Sequence, residues 1–213
     1  MSTVIDLLHA HGHEVVVRTG EHVVLSFGAT LLSTLLGVPL GVWASHRPRV
    51  ERPLLTFVDA VQTIPSLALF GLLLPLPLIG GIGATPAMVA LVLYALLPIV
   101  RTTVVGVRGV DRAVVEAARG LGMTDVQLLR AVELPLAAPT ILAGVRVAAV
   151  TSIGTATIAA AIGAGGLGTF VFQGVAMVDD GVILLGAVPA ALLALVVDAI
   201  VRLLERRLAR DVR

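Results

Sequence analysis

Residues 23–44 read VVLSFGATLLSTLLGVPLGVWA, and none of them carries a charge. A helix that crosses a bilayer needs about 20 mostly apolar residues, and this stretch reaches that length. It is too long for the apolar centre of a cleaved signal, and no basic segment leads into it. Moving outward, four further stretches have the same character: about Leu54 to Ile79, Thr85 to Val107, Pro139 to Ile162 and Val182 to Leu204. The first of these is interrupted by Pro65, Pro75 and Pro77. Five spans take up roughly half the chain and leave no room for a soluble catalytic domain. The expected fold class is therefore an all-α integral membrane protein with about five transmembrane helices. The expected layout is an extracytoplasmic segment 1–22, one membrane domain over 23–204 and a basic tail over 205–213. The stretch before the first span, VIDLLHAHGHEVVVRTGEH, reads as a short interfacial helix.

Composition agrees. Of 213 residues, 57% are hydrophobic and only 14% are charged, against about 25% charged in an ordinary soluble domain. Aromatics at 3% are too few for a stacking surface, so nucleic acid is not expected as a partner. There is no cysteine and no lysine. Disulfides, thiolate catalysis, a Schiff-base lysine and a phosphate-loop lysine are excluded.

All 15 basic residues are arginines, and they cluster. Arg47, Arg49 and Arg52 follow the first span; Arg108, Arg112, Arg119 and Arg130 follow the third; Arg202, Arg206, Arg207, Arg210 and Arg213 end the chain. With five spans these three regions share one side, and the positive-inside rule makes it cytoplasmic. The expected topology is N-terminus outside and C-terminus inside.

The longest connection, about residues 108–138, has structure of its own. Asp111 suits the N-cap of a short helix running to Arg119, which Gly120 and Gly122 then end. Thr124 and Gln127 have capping-box spacing, so a second short helix is expected from Asp125. Pro135 and Pro139 are expected to end it before the fourth span. Two short helices meeting at a glycine hinge form a knob suited to docking in a partner's groove.

Within that knob Glu116-Ala117-Ala118, Gly122, Val132, Leu134 and Pro135 resemble the EAA signature of bacterial ABC-importer permeases. That signature is Glu-Ala-Ala, three residues, Gly, nine residues, Ile, one residue, Leu-Pro. The only departure is Val132 in place of Ile. The strings QTIPSLALFGLLLPL (62–76), LYALLPIVRTT (93–103) and GAGGLG (163–168) resemble the osmoprotectant branch of the family, which serves glycine betaine, choline and carnitine.

The resemblance implies a type I ABC permease fold with a cytoplasmic coupling helix, in the bacterial inner or plasma membrane. It implies a non-enzymatic transport subunit that pairs with a second permease subunit, identical or related. A cytoplasmic ABC ATPase dimer would bind below, and an extracytoplasmic solute-binding protein would deliver substrate. No cofactor is expected on this chain; ATP and Mg would sit on the partner ATPase. Glu116 would be the charged anchor of the coupling helix, Ala117 and Ala118 would allow close packing, and Gly122 would permit the turn. The same role for methionine or another small nutrient is the alternative. A stand-alone secondary carrier, from a different class, would leave the signature unexplained.

The remaining polar features are read against plainer alternatives. Gln62, Thr63, Pro65 and Ser66 in the second span, and Thr151 and Thr155 in the fourth, are candidates for lining the pathway; hydrogen bonding between helices is the alternative. Asp59 and Arg101 are expected to reach the interface, Arg146 to snorkel to the headgroups, and Asp198 to pair with Arg202. Asp179 and Asp180 suit the cap of the last span. Gly163, Gly165 and Gly168 match a dinucleotide fingerprint in spacing only. They follow a membrane helix rather than a strand, so a tight turn is expected instead. His9, His11 and His13 alternate, but no further ligand is visible, and an exposed segment is expected rather than a metal site. Trp43 and Tyr94 are too few to build a cage for a cation, so selectivity is expected on the binding protein.

Overall fold

The computed structural model describes residues 4–211, with side chains for residues 11–208 and 210. All regular secondary structure among the described residues is helical: α1 (Val4–Ser45), α2 (Pro48–Thr63), α3 (Ser66–Leu73), α4 (Ala84–Arg108), α5 (Arg112–Gly120), α6 (Asp125–Leu128), α7 (Leu134–Ala159), α8 (Gly168–Met177) and α9 (Asp180–Asp211). A π turn at Leu129–Glu133 joins α6 to α7, and a 3₁₀ turn at Ala160–Ile162 follows α7. Segments His11–Ser45, Ala84–Arg108, Asp125–Ile162 and Asp180–Leu208 are long and apolar enough to cross a membrane. The bent pair α2–α3 makes a fifth if counted as one span.

Contacts fix which helix ends lie together. At the arginine-rich end, Arg108 donates to Ser45 O at 3.2 Å and pairs with Glu51, while His46 meets Glu133 at 3.0 Å. At the opposite end, Gly83 N donates to Ile162 O at 2.9 Å, and Gly166 N donates to the Glu21 carboxylate at 2.8 Å. Helices α1, α4 and α7 form the centre, with α9 against α7 and α2–α3 against α4. Their contact surfaces are built from small residues: Ala29, Ala87, Ala90, Ala156 and Ala159 are each fully buried beside Phe70 and Leu91. In a bilayer, where apolar burial gives helices little reason to associate, such close packing supplies the attraction. Polar bonds add to it. Ser33 donates to Val92 O at 3.0 Å, linking α1 to α4. His22, fully buried, donates to Ile153 O at 3.0 Å, linking α1 to α7.

The structure departs from the sequence expectation in four places. The stretch before the first span is no separate interfacial helix; it continues α1 in one 42-residue rod. No proline precedes Pro39, and Arg18 pairs with Glu14 (3.6 Å) and Glu21 (3.1 Å) at helical spacing across Gly20. The second span is two helices bent by 99°. Pro65 has no N–H to continue the helix, and Ile64 before it takes the extended conformation (φ −73, ψ 126) that precedes proline. Pro135 and Pro139 do not end the helix begun at Asp125: helix α7 runs through both. The wide π turn just before Pro135 accommodates the lost bond, and neighbouring helices re-satisfy the backbone. Helix α8 is not among the expected spans. At ten residues it extends only about 15 Å, too short to register as a span. It folds back so that α9 starts at the end where α7 stops, through Val178 in the left-handed region (φ 55). As expected, Asp179 caps α9, accepting from Gly181 N at 2.9 Å and Val182 N at 3.3 Å.

The break in the second span is held by a reciprocal clamp. The Tyr94 hydroxyl donates to Ile64 O, and Gln62 Nε2 donates to Tyr94 O at 2.9 Å. Tyr94→Phe leaves the Ile64 carbonyl without its partner. The loss of about 1–2 kcal/mol is expected to lower the unfolding midpoint in detergent by a few degrees. An unchanged midpoint would mean that the clamp does not hold the bend.

Candidate functional site

At the arginine-rich end the chain between α4 and α7 folds into the expected knob. Asp111 caps α5, accepting from Ala113 N at 2.9 Å. Helix α5 turns off at Gly122, whose φ of +84 lies in the region that L side chains disfavour. The capping box is complete: Gln127 N donates to Thr124 Oγ1 at 3.3 Å, and Thr124 N donates to Gln127 Oε1 at 2.9 Å. Helix α6 starts at Asp125 as read.

Ala118 and Leu128 are buried and anchor the knob from within. Glu116 and Ala117 are exposed, Val132 and Leu134 are half-buried, and Pro135 is exposed. Leu121 is 83% exposed and Val126 59% exposed at the tip, so the hinge presents apolar side chains that no described residue covers. Below it opens a cleft of ≈ 520 Å³ lined by His46, Arg108, Arg112, Glu116, Arg119 and Glu133, among others. Glu116 makes no ion pair with a described residue; Arg119 lies instead 3.9 Å from Asp125. Buried Glu133 ties the cleft wall to exposed His46, the residue that follows α1.

The two groups of pathway candidates stand apart in sequence and on different helices. Gln62, Thr63 and Pro65 are exposed at the α2–α3 break, and Ser66 is half-buried at the start of α3. Thr63 bonds its own helix at Ala60 O (2.7 Å). On α7, Thr151 is exposed and Thr155 half-buried, the latter donating to Thr151 O at 2.9 Å. Gln62 serves the inter-helix bonding alternative through Tyr94.

Three charged groups have partners the sequence reading did not give them. Arg146 donates to Asp198 (2.9 Å) and Glu205 (2.8 Å) of α9. Asp198 keeps its expected pairing with Arg202 as well, so four charges lash α7 to α9. Asp59 and Arg101 do not reach out separately but pair across α2 and α4 at 2.8 and 3.0 Å. Their signal in the sequence was opposite charge at similar depth in consecutive spans, which reading each residue alone does not reveal.

At the opposite end, 163–168 forms the expected tight turn. Gly163, Gly165 and Gly166 all have φ between 76 and 79. A Cβ on Gly165 would lie 2.5 Å from the Glu21 carboxylate, so the turn closes against α1. Of the alternating histidines, His11 lies 3.7 Å from Glu14; the His13 side chain has no ion pair with a described residue, and that of His9 lies outside the described residues.

Residues 37–210 match the family described as binding-protein-dependent transport system inner membrane component. The chain belongs to this family. It is the permease subunit of an ABC importer, an inner-membrane component. Among its relatives is a carnitine transport permease protein of Listeria monocytogenes, 42% identical over 98% of this chain and 94% of that protein. A choline transport system permease protein of Bacillus subtilis is 41% identical over the same shares. An osmoprotectant import permease protein of Salmonella typhimurium is 44% identical over 88% of each chain. Among solved structures, a chain of the inward-facing MetNI methionine ABC transporter superposes with a TM-score of 0.84 at 24% identity. It covers 98% of this permease and 99% of that chain. That likeness establishes the type I ABC permease fold.

Proposed function

We propose that this permease imports a quaternary ammonium osmoprotectant of the glycine betaine, choline and carnitine class. The carrying observation is identity above 40% over nearly the whole chain to permeases named for carnitine and choline. The alternative cargo, methionine, is favoured only by a structural likeness at 24% identity, which bears on fold alone.

In this reading the arginine-rich end is cytoplasmic, with residues 1–22 outside, the permease domain over 23–204 and the tail over 205–213 inside. Segment 108–138 is the coupling loop. Glu116, Ala117, Ala118, Gly122, Val132, Leu134 and Pro135 shape the surface that docks on a separate ATPase, which binds ATP and Mg. The exposed Leu121 and Val126 supply the apolar part of that contact, and Glu116 the charged part. Two permease subunits, a homodimer or heterodimer, enclose the pathway, and Gln62, Thr63, Pro65, Ser66, Thr151 and Thr155 line it. ATP favours one permease state only through contacts that differ between states, and the knob is where those contacts are made. The ion pair from buried Glu133 to exposed His46, just past the end of α1, then transmits the knob's movement to that helix.

The test is uptake into proteoliposomes holding this permease, its neighbouring ATPase and, outside, its binding protein. ATP-dependent uptake of labelled glycine betaine, choline or carnitine is the expected result. Uptake of methionine and none of these would overturn the substrate assignment. Uptake without any ATPase would overturn the importer mechanism.

A further inference from the structure

Asp59 lies 11 residues into α2, and Arg101 lies seven residues before the end of α4. At 1.5 Å per residue they sit about 17 and 10 Å from the arginine-rich ends of their helices. Their side chains are nevertheless 45% and 55% exposed. An ion pair at that depth is not stable against lipid tails; it faces the bundle interior or water. The surroundings favour water. Arg52, Thr56, Asp59 and Thr63 fall at i, i+4, i+7 and i+11, a polar stripe along α2, and Arg52, Thr56 and Thr63 are exposed. The stripe runs from the arginine-rich end up to the break at Pro65. Arg101 joins it from α4, on the exposed face that also carries Val105 and Arg108.

The pair is also incompletely used. Both bonds from Arg101 to Asp59 come from Nη2. Among the described residues, Nη1 and Nε of Arg101 have no hydrogen-bond partner, so one edge of the guanidinium fork is open to a carboxylate. We propose that Asp59 and Arg101 form a transit subsite for zwitterionic substrate, Arg101 taking its carboxylate and Asp59 its quaternary ammonium. This rests on the substrate reading above. The substrate exchanges one ion pair for two of similar kind, so it is held weakly and released, as a pathway requires. Glycine betaine and carnitine carry both charges, whereas choline carries only the cation. The subsite therefore distinguishes them through Arg101.

The experiment uses the complete transporter in proteoliposomes, with uptake of labelled glycine betaine and choline measured for each variant relative to wild type. Arg101→Gln is expected to lower glycine betaine uptake about tenfold or more and choline uptake by less than about threefold, the loss of a charge-assisted bond to a carboxylate. Arg101→Lys, which keeps the charge and loses the fork, falls between and serves if the glutamine variant does not assemble. Asp59→Asn is expected to lower both substrates alike. Because the chain has no cysteine, Val105→Cys provides a single permease thiol on the same face. A membrane-impermeant cationic thiol reagent is expected to label it, and glycine betaine during turnover is expected to slow the labelling. Equal loss of both substrates in both arginine variants means a structural ion pair and overturns the proposal alone; an unlabelled thiol does the same. A wild type that moves neither substrate overturns the substrate reading first and this subsite with it.

Discussion

Gly144→Leu is expected to leave almost no folded permease. Gly144 lies where α7 crosses α4. A Cβ there would stand 2.7 Å from the backbone oxygen of Pro98 and 2.9 Å from Thr102 Cβ, and would overlap Thr102 Oγ1. Nothing in that contact can swing aside. The Pro98 oxygen is main chain, and Thr102 Oγ1 is already bonded to it at 2.8 Å. Overpacking a tight core costs about 1–3 kcal/mol for an extra methylene or two, and leucine adds more than that at the centre of the bundle. The two helices must separate. Gly154→Leu on the same helix is the control, because a Cβ there meets nothing within 4 Å. Size-exclusion profiles and unfolding midpoints in detergent read the difference: a folded Gly154 variant beside an aggregated Gly144 variant. Equal profiles would mean that α4 and α7 do not pack as described.

The second large effect is on coupling. Glu116→Arg combined with Gly122→Pro is expected to reduce ATP-driven uptake on the order of 100-fold, the scale on which loss of an interface anchor acts. Glu116 is exposed and unpaired among the described residues, so reversing its charge disturbs nothing inside the chain. Proline holds φ near −65°, whereas Gly122 sits at +84 with open space around it. The hinge, and with it the exposed Leu121 and Val126, must therefore take another shape. The membrane helices lie outside the change, so the variant is expected to purify with an unaltered unfolding midpoint. Full uptake by this variant would remove the knob from the mechanism.

Much of this was legible in the sequence because membrane helices announce themselves by length and apolarity, and helix caps by single residues. The spans near Val23, Thr85, Pro139 and Val182, the cap at Asp111 and the capping box at Thr124 all follow from local chemistry. What escaped reading depends on partners distant in the chain. For Arg146 the sequence offers an interfacial reading, while its partners Asp198 and Glu205 lie 52 and 59 residues further along the chain. Asp59 and Arg101, 42 residues apart, meet only because α2 packs against α4 through Leu54, Leu55 and Val58. Pro135 looked like a helix end, but the π turn before it and the neighbouring helices accommodate it. Helix α8 has neither the length of a span nor a cap in its sequence, and only its packing against α9 defines it. The EAA-like signature lies between these cases. Its local turns follow from its own residues, whereas the surface it docks on belongs to another protein.

The most direct measurement is retention of the neighbouring ATPase by affinity-purified permease, wild type against Glu116→Arg with Gly122→Pro. The account predicts that wild type retains the ATPase and that the variant, still folded, loses it. Equal retention by both, or none by the wild type, would contradict it.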